Sequence, residues 1–339
     1  MTADDGRAVP AAPPGAPAAR RPLRLARRFA AVAPFAVAIA LFLITAAAIP
    51  GFLNLGSLRS LFLLASLLGV ASAGQTLVIV MGGLDLSVPA VIGFADVTFT
   101  VAYGNGVNSA LTIPLIVLGG AAIGAANGLL SRLLRANTLI LTLAVGSIVL
   151  GIIWANTHGT TGGAVPGWLT NMVSVVGTVG PVPIPGAVVL WAVLAAVLIF
   201  IERRTSLGRW SFALGANARA AALAYVPALG VWTAVFAISG ASAALAGILL
   251  AGFSGSADPG VGAAYLFTTL SAVVIGGTPI IGGRGGYART VAGCLIITEV
   301  TMLLLGIGLD EAAQQVCLGL LIIALVALYG REPHVRMQI

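Results

Sequence analysis

Lysine is absent from the sequence, whose 17 basic residues are all arginine. A P-loop needs a lysine on the nucleotide phosphates, and Schiff-base chemistry needs a lysine amine, so both kinds of site are excluded. Histidine occurs only at His158 and His334, and neither belongs to a nucleophile–base pair or a cluster of metal ligands. We therefore expect a protein that is not an enzyme, holds no metal and needs no cofactor.

Charged residues are also scarce, at 8% of the 339 residues, whereas soluble domains carry roughly 25%. Hydrophobic residues make up 59%, and the mean hydropathy is +1.08. Lipid admits only helices and closed barrels as spanning structures, and the apolar runs here are far longer than the ~10-residue strands of a barrel. The composition therefore predicts an all-α, polytopic membrane helix bundle.

The arginines and cysteines bear on the partners and the cellular compartment of the protein. The net charge of +7 would suit nucleic acid, but the arginines lie in short clusters between apolar runs. That pattern favours a membrane protein that faces anionic lipid, and we expect no nucleic-acid partner. Cys294 and Cys317 both lie within apolar runs, where core packing is their expected role, so they report nothing about the redox compartment.

Ten apolar runs follow a basic N-terminal segment. Residues 1–28 are rich in Ala, Pro and Arg and predict a disordered cytoplasmic tail. The first run is longer than the apolar region of a signal peptide, so an uncleaved helix is preferred to a cleaved leader. Residues 29–330 then form the transmembrane domain, and residues 331–339 form a short cytoplasmic tail. The runs cover residues 29–49, 58–81, 87–103, 111–131, 137–155, 187–202, 228–252, 267–281, 290–307 and 312–330.

The arginines between these runs indicate an orientation. If the N-terminus is cytoplasmic, ten spans place nearly all of them inside and only Arg59 outside. Basic residues strongly prefer cytoplasmic loops, so we predict ten spans with both termini inside. The internal arginines are then Arg132, Arg135, Arg203, Arg204, Arg209, Arg219, Arg284, Arg289, Arg331 and Arg336.

Four segments carry a family signature. They are residues 74–88 (GQTLVIVMGGLDLSV), 124–128 (GAANG), 208–221 (GRWSFALGANARAA) and 272–285 (AVVIGGTPIIGGRG). In order and spacing they resemble the ribose/xylose-type permease subunits of bacterial ABC importers, within the branched-chain amino acid/monosaccharide permease superfamily. The resemblance implies a multi-pass protein of the bacterial plasma (inner) membrane. Its implied partners are cytoplasmic ATPase subunits, an extracytoplasmic solute-binding protein and a second permease copy or paralogue.

The longest internal loop, residues 203–227, is the expected contact with the ATPase. In the resembled family, this position holds the coupling helix that enters a groove on the ATPase. Gly215 and Asn217 suit a turn and an N-cap before a short helix. A lipid-facing basic loop is the alternative interpretation. The residues expected to take part in coupling are Arg209, Gly215, Asn217, Ala220 and Ala221.

Polar residues inside apolar runs are costly, and they are therefore candidates for the solute path. Asp85 follows a Gly-Gly break, where it either caps the next helix or lines the path. Asp96 and Glu299 stand where the resembled family typically has small or apolar residues, so they either influence selectivity or are simply protonated or paired. The amides suit sugar hydroxyls or bonds between helices. The full candidate set is Gln75, Asp85, Ser87, Asp96, Asn127 and Glu299.

The expected function is translocation of a sugar-like solute by alternating access, driven by a separate ATPase. A stand-alone secondary carrier or facilitator is the alternative, although coupled carriers usually bury several ionisable residues. A nucleoside, a polyol and a branched-chain amino acid are alternative solutes. The sequence does not distinguish between them, because the binding protein contributes to selection.

Overall fold

The computed structural model describes residues 21–157 and 162–329, and both predicted tails lie partly or wholly outside this part of the chain. The described residues form helices, with one isolated β-bridge between Val179 and Val182. The helices are α1 (Arg21–Ala48), α2 (Leu55–Val80), α3 (Val88–Gly104), α4 (Ser109–Leu133), α5 (Thr138–Thr157), α6 (Gly167–Met172), α7 (Gly186–Arg204), α8 (Ser206–Ala216), α9 (Ala218–Leu223), α10 (Ala228–Ser254), α11 (Tyr265–Ile275), α12 (Tyr287–Gly306) and α13 (Glu311–Tyr329).

Each of the ten predicted apolar runs overlaps one of these helices, and the all-α prediction is confirmed. The first helix begins at Arg21, inside the segment 1–28 that the composition predicted as a disordered tail. Ten spans and the orientation with both termini inside stay predictions. Within the part of the chain that the structure describes, six helices are long and apolar enough to cross a membrane, namely α2, α4, α5, α7, α10 and α12.

α11 is much shorter than its apolar run. The run extends over residues 267–281, but the helix has 11 residues and ends at Ile275. At 1.5 Å per residue it rises about 16 Å, roughly half of the ~30 Å hydrocarbon core. The helix ends because Gly277 has a φ of +91° and Pro279 restricts the residue before it. Hydropathy alone overestimated this helix, since the residues beyond the break are also apolar.

α2 and α10 lie at the centre of the bundle. α2 is buried without interruption from Ala65 to Val80, as expected of a helix that is apolar on all sides. α10 packs against α2, α3 and α4. α4 and α10 approach closely through glycine, because a Cβ at Gly120 would lie 2.5 Å from the carbonyl oxygen of Gly240. Small residues commonly allow this close approach between membrane helices.

The outer helices expose large apolar side chains. Leu118 of α4, Ile148 of α5 and Phe200 of α7 are each more than half exposed. Such surfaces are unfavourable in water and fit contact with lipid tails. The described bundle therefore has a buried centre and an apolar periphery.

Candidate functional site

A polar cluster lies where α2 ends and α3 begins. The chain leaves α2 through Gly82, whose φ of +84° favours glycine. Asp85 follows and is 2% exposed. Its Oδ1 accepts hydrogen bonds from the Ser87 N–H at 3.0 Å and the Ser87 hydroxyl at 2.6 Å. Its Oδ2 accepts a hydrogen bond from the Ser239 hydroxyl at 2.7 Å, so both carboxylate oxygens have donors.

Asn127 extends this cluster to α4. Its Nδ2 donates to the Ser87 hydroxyl oxygen at 2.8 Å. α5 also contacts the segment between α2 and α3, because Thr142 Oγ1 accepts the N–H of Leu86 at 2.9 Å. The non-helical residues at this break are therefore held by side chains from α4, α5 and α10.

Three of the predicted path residues, Asp85, Ser87 and Asn127, thus lie in one hydrogen-bonded network. Ser239 completes this network and was missed in the sequence, where the available signal was a hydroxyl inside a long apolar run. The capping interpretation of Asp85 is wrong, because the N-cap of α3 is Ser87 and no side chain in the described structure accepts the first N–H groups of that helix. Asp85 instead accepts the N–H of Ser87 itself. The network joins the break after α2 to α4 and α10.

The other three candidates, Gln75, Asp96 and Glu299, lie on α2, α3 and α12, and no hydrogen bond among the described residues joins them to the Asp85 network. Asp96 Oδ1 accepts the N–H of Asp258 at 2.8 Å, which ties α3 to the segment before α11. Asp96 Oδ2, Glu299 Oε2 and both amide atoms of Gln75 have no partner among the described residues. A buried polar atom left in this state costs about 1–3 kcal/mol, so these atoms are candidates for solute contact.

A second candidate site is the α8–α9 unit, residues 206–225. Thr205 caps α8 by accepting the Gly208 N–H at 3.3 Å. Asn217 Oδ1 accepts the Ala220 N–H at 3.0 Å, so the predicted N-cap of α9 is confirmed. Gly215 lies in the last turn of α8, not in a free turn as predicted.

Gly215 is the point where the α8–α9 unit meets the bundle. A Cβ there would overlap the Val80 carbonyl oxygen and lie 2.6 Å from the Gly283 nitrogen. The Gly283 N–H in turn donates to the Val80 carbonyl at 2.8 Å. The end of α8, the end of α2 and the turn before α12 therefore pack in direct contact.

The predicted coupling residues divide into two groups. Arg209, Asn217 and Ala220 are exposed, whereas Ala221 is 4% exposed and belongs to the buried core beneath the unit. The most exposed apolar side chains of the unit were missed in the sequence. They are Leu223, which is 84% exposed, and Tyr225, which is 94% exposed.

Two clefts adjoin these elements. One, of ≈ 860 Å³, lies between the α8–α9 unit and Gly82, and Arg132 and Trp232 also line it. The Arg132 guanidinium lies 5.5 Å from the Trp232 ring centroid, within cation–π range. The other, of ≈ 630 Å³, lies between α11, α12 and α13 and includes Thr268 and Gln314. The six predicted path residues line neither cleft.

Comparison with known proteins identifies a permease family. The family described as branched-chain amino acid transport system / permease component matches residues 57–326. The matched range includes both the Asp85 network and the α8–α9 unit. No solved structure matches the chain.

Curated relatives match over most of their length. The ribose import permease protein of Haemophilus influenzae is 28% identical over 280 residues, which cover 82% of this chain and 86% of the relative. A probable ABC transporter permease protein of Escherichia coli is 30% identical over 290 residues, covering 84% and 85%. The autoinducer 2 import system permease protein of Yersinia enterocolitica is 30% identical over 265 residues, covering 76% and 79%.

The Asp85 network generates a stability prediction. Ser239→Ala removes the hydroxyl that serves Asp85 Oδ2, so the folded protein should lose about 1–3 kcal/mol, the cost of leaving a buried acceptor unpaired. Thermal unfolding of the purified protein in detergent measures this loss. Ser147→Ala is the matched control, because that exposed hydroxyl bonds only within its own helix. Equal unfolding midpoints for the two variants would contradict the assignment.

Proposed function

Because the chain belongs to the branched-chain amino acid transport system permease family, we propose that it is the membrane-spanning permease subunit of an ATP-driven importer. In this proposal it moves a sugar-like solute across the bacterial plasma membrane by alternating access. The relatives support this role, since they are named as import permeases for ribose and autoinducer 2. The observation on which the proposal depends is that the α8–α9 unit exposes apolar side chains and packs directly against the bundle.

The driving energy comes from a partner. The chain has no lysine and so no P-loop, which assigns ATP hydrolysis to separate cytoplasmic ATPase subunits. An extracytoplasmic solute-binding protein delivers the solute. A second permease copy or paralogue completes the membrane part, and lipid surrounds it. Nucleic acid is not among the partners in this proposal.

The α8–α9 unit has the features of a docking surface. Leu223 and Tyr225 expose apolar side chains, and Arg209 and Arg219 add exposed positive charge. An amphipathic helical segment of this kind binds in a groove on a partner, and interface centres are rich in Tyr and Arg. The inner side of the unit packs against α2 and the turn before α12. A movement of the docked unit would therefore displace these parts of the bundle.

The buried polar residues support a neutral, hydroxylated solute. Gln75 and Asn127 offer amide donors and acceptors, and each has a side-chain atom without a partner among the described residues. Asp96 and Glu299 offer acceptors for hydroxyl hydrogens. A nucleoside, a polyol or a branched-chain amino acid are the alternative solutes.

Docking is tested at the exposed tip of the α8–α9 unit. Leu223→Asp and Tyr225→Asp place a charge where the proposal requires apolar contact. Each should lower the ATP hydrolysis that the loaded binding protein stimulates by about tenfold, the effect of losing ~1.4 kcal/mol at an interface. Membrane insertion should stay normal, because both side chains are exposed.

Val176→Asp is the matched control for docking. Val176 is 76% exposed but lies between α6 and α7, far along the chain from the α8–α9 unit. Its variant should hydrolyse ATP as the wild type does. Full stimulation in both α9-region variants would show that the ATPase docks elsewhere. Solute transport by the chain without any ATPase would instead identify a stand-alone carrier.

The solute path is tested at the two buried carboxylates. A charge in mid-bilayer costs ~2.5–3.5 kcal/mol on insertion scales, so Asp96 and Glu299 should face the bundle interior. Asp96→Asn and Glu299→Gln keep the shape and remove the charge. A path residue should change the transport rate or solute preference at normal expression. Asp310→Asn, which alters an exposed carboxylate between α12 and α13, is the control.

The uptake measurements separate the path role from a structural one. A structural carboxylate should lower the amount of folded protein and leave transport per molecule unchanged. Wild-type rate and preference in both variants would remove these residues from the path.

Topology is tested by labelling from outside intact cells. In a background of Cys294→Ala and Cys317→Ala, a cysteine at Gly162 should react with an impermeant thiol reagent, because the arginine pattern places that loop outside. A cysteine at Asn217 should react only after permeabilisation. Labelling at Asn217 in intact cells would overturn the predicted orientation.

A further inference from the structure

Glu202 is a buried carboxylate at the end of an apolar run, and no motif in the sequence marks it. It lies in the last turn of α7 and is 7% exposed. Its Oε1 and Oε2 accept the N–H of Tyr287 at 2.8 and 3.0 Å. Tyr287 is the first residue of α12, where N–H groups lack partners within the helix and negative charge is favourable. Glu202 therefore links the end of α7 to the beginning of α12.

The beginning of α12 is shaped to receive this carboxylate. Gly286 stands immediately before the helix with a φ of +128°, and a Cβ there would lie 2.9 Å from Glu202 Oε2. The Gly286 N–H donates to Thr278 Oγ1 at 3.2 Å, which fixes the turn from the other side. A glycine is required here by both the backbone conformation and the contact.

The side chain of Tyr287 connects the beginning of α12 to α2 and α7. It is fully buried, and its hydroxyl donates to the Gly69 carbonyl of α2 at 2.6 Å. The same hydroxyl accepts the Trp191 Nε1–H of α7 at 2.9 Å. The first residue of α12 is thereby bonded to α2 through its side chain and to Glu202 through its backbone.

The α8–α9 unit begins directly beside Glu202. A Cβ at Gly208, in the first turn of α8, would overlap the Glu202 carbonyl oxygen. At its other end, α8 meets Val80 and Gly283 through Gly215. Both ends of α8 therefore contact residues that adjoin α12. The first turn of α8 contacts Glu202, and the last turn contacts Gly283 in the turn before α12.

We propose that Glu202 is a positioning residue that transmits movement of the α8–α9 unit to α12. This inference rests on the proposed function, in which that unit docks the ATPase. The carboxylate suits the task because either oxygen can accept the single N–H, so the bond survives small rotations. It is also buried, so water does not readily replace the bond. Asp at this position is one methylene shorter and does not reach, whereas Gln keeps an acceptor oxygen.

The test follows α12 while the ATPase changes state. The complex with its ATPase subunits is placed in lipid nanodiscs, with spin labels on Leu305 at the outer end of α12 and Leu111 at the outer end of α4. Both positions are exposed. The distance distribution is compared without nucleotide and with ATP and vanadate. The wild type should show a shifted population with nucleotide.

Glu202→Ala should reduce the shifted fraction by about fivefold or more, the lower end of typical coupling between sites. Glu202→Asp should behave in the same way, and Glu202→Gln should stay close to the wild type. Copurification of the ATPase subunits and the thermal unfolding midpoint are measured alongside. A purely structural role would change the midpoint and leave the shift intact, which would overturn the inference.

A double-mutant cycle tests the contact itself. Gly286→Ala crowds the same carboxylate, so its effect on the shifted fraction should be non-additive with that of Glu202→Ala. Gly230→Ala is the control, because a Cβ there meets no atom within 4 Å.

Three results overturn the inference. They are a normal shift in Glu202→Ala, additive effects in the cycle, and a lost shift in a Glu202→Gln protein with normal stability. Failure of the wild type to bind ATPase subunits would contradict the proposed function instead, and so the two failures are distinguishable.

Discussion

A helix break that is buried in protein leaves backbone N–H groups that water cannot reach, and such groups need a partner within the fold; that constraint governs how this bundle is held together. Buried carboxylates close two helix breaks in the described chain, one after α2 and one before α12. At the first break, Asp85 accepts hydrogen bonds from Ser87 and from Ser239 of α10. At the second, Glu202 of α7 accepts the N–H of Tyr287. In each case a buried carboxylate accepts a backbone N–H, that of Ser87 or that of Tyr287, which a continuous helix would have bonded by itself.

The two breaks are neighbours in space, and the α8–α9 unit contacts both of them. The Gly283 N–H donates to the last carbonyl of α2, at Val80, and α8 packs on both through Gly215. A surface with exposed Leu223 and Tyr225 is thus joined by short contacts to the end of α2 and to the turn before α12. An importer needs such a connection, because ATP is hydrolysed outside the membrane and the solute crosses within it. Asp85 lies five residues beyond Val80, on the non-helical segment that leads from α2 into α3.

Most of the helices and part of the candidate site could be predicted from the sequence. Hydropathy located all ten apolar helices, because lipid-exposed and centrally buried helices are both continuously apolar. It overestimated the length of α11, because Ile280 and Ile281 follow the break at Gly277 and Pro279, and hydropathy does not register backbone breaks. Asp85 was visible as a charge in an apolar run. Ser239 and Glu202 were not, because their partners lie 154 and 85 residues away and only the fold brings them together.

The central claim is that this chain moves solute only when a partner hydrolyses ATP. Proteoliposomes containing the chain, its ATPase subunits and its binding protein would be tested for uptake of a panel of labelled pentoses, hexoses and nucleosides. The account predicts ATP-dependent accumulation of at least one sugar, and no accumulation when the ATPase subunits are omitted. Equal uptake by the chain alone, with or without ATP, would contradict it.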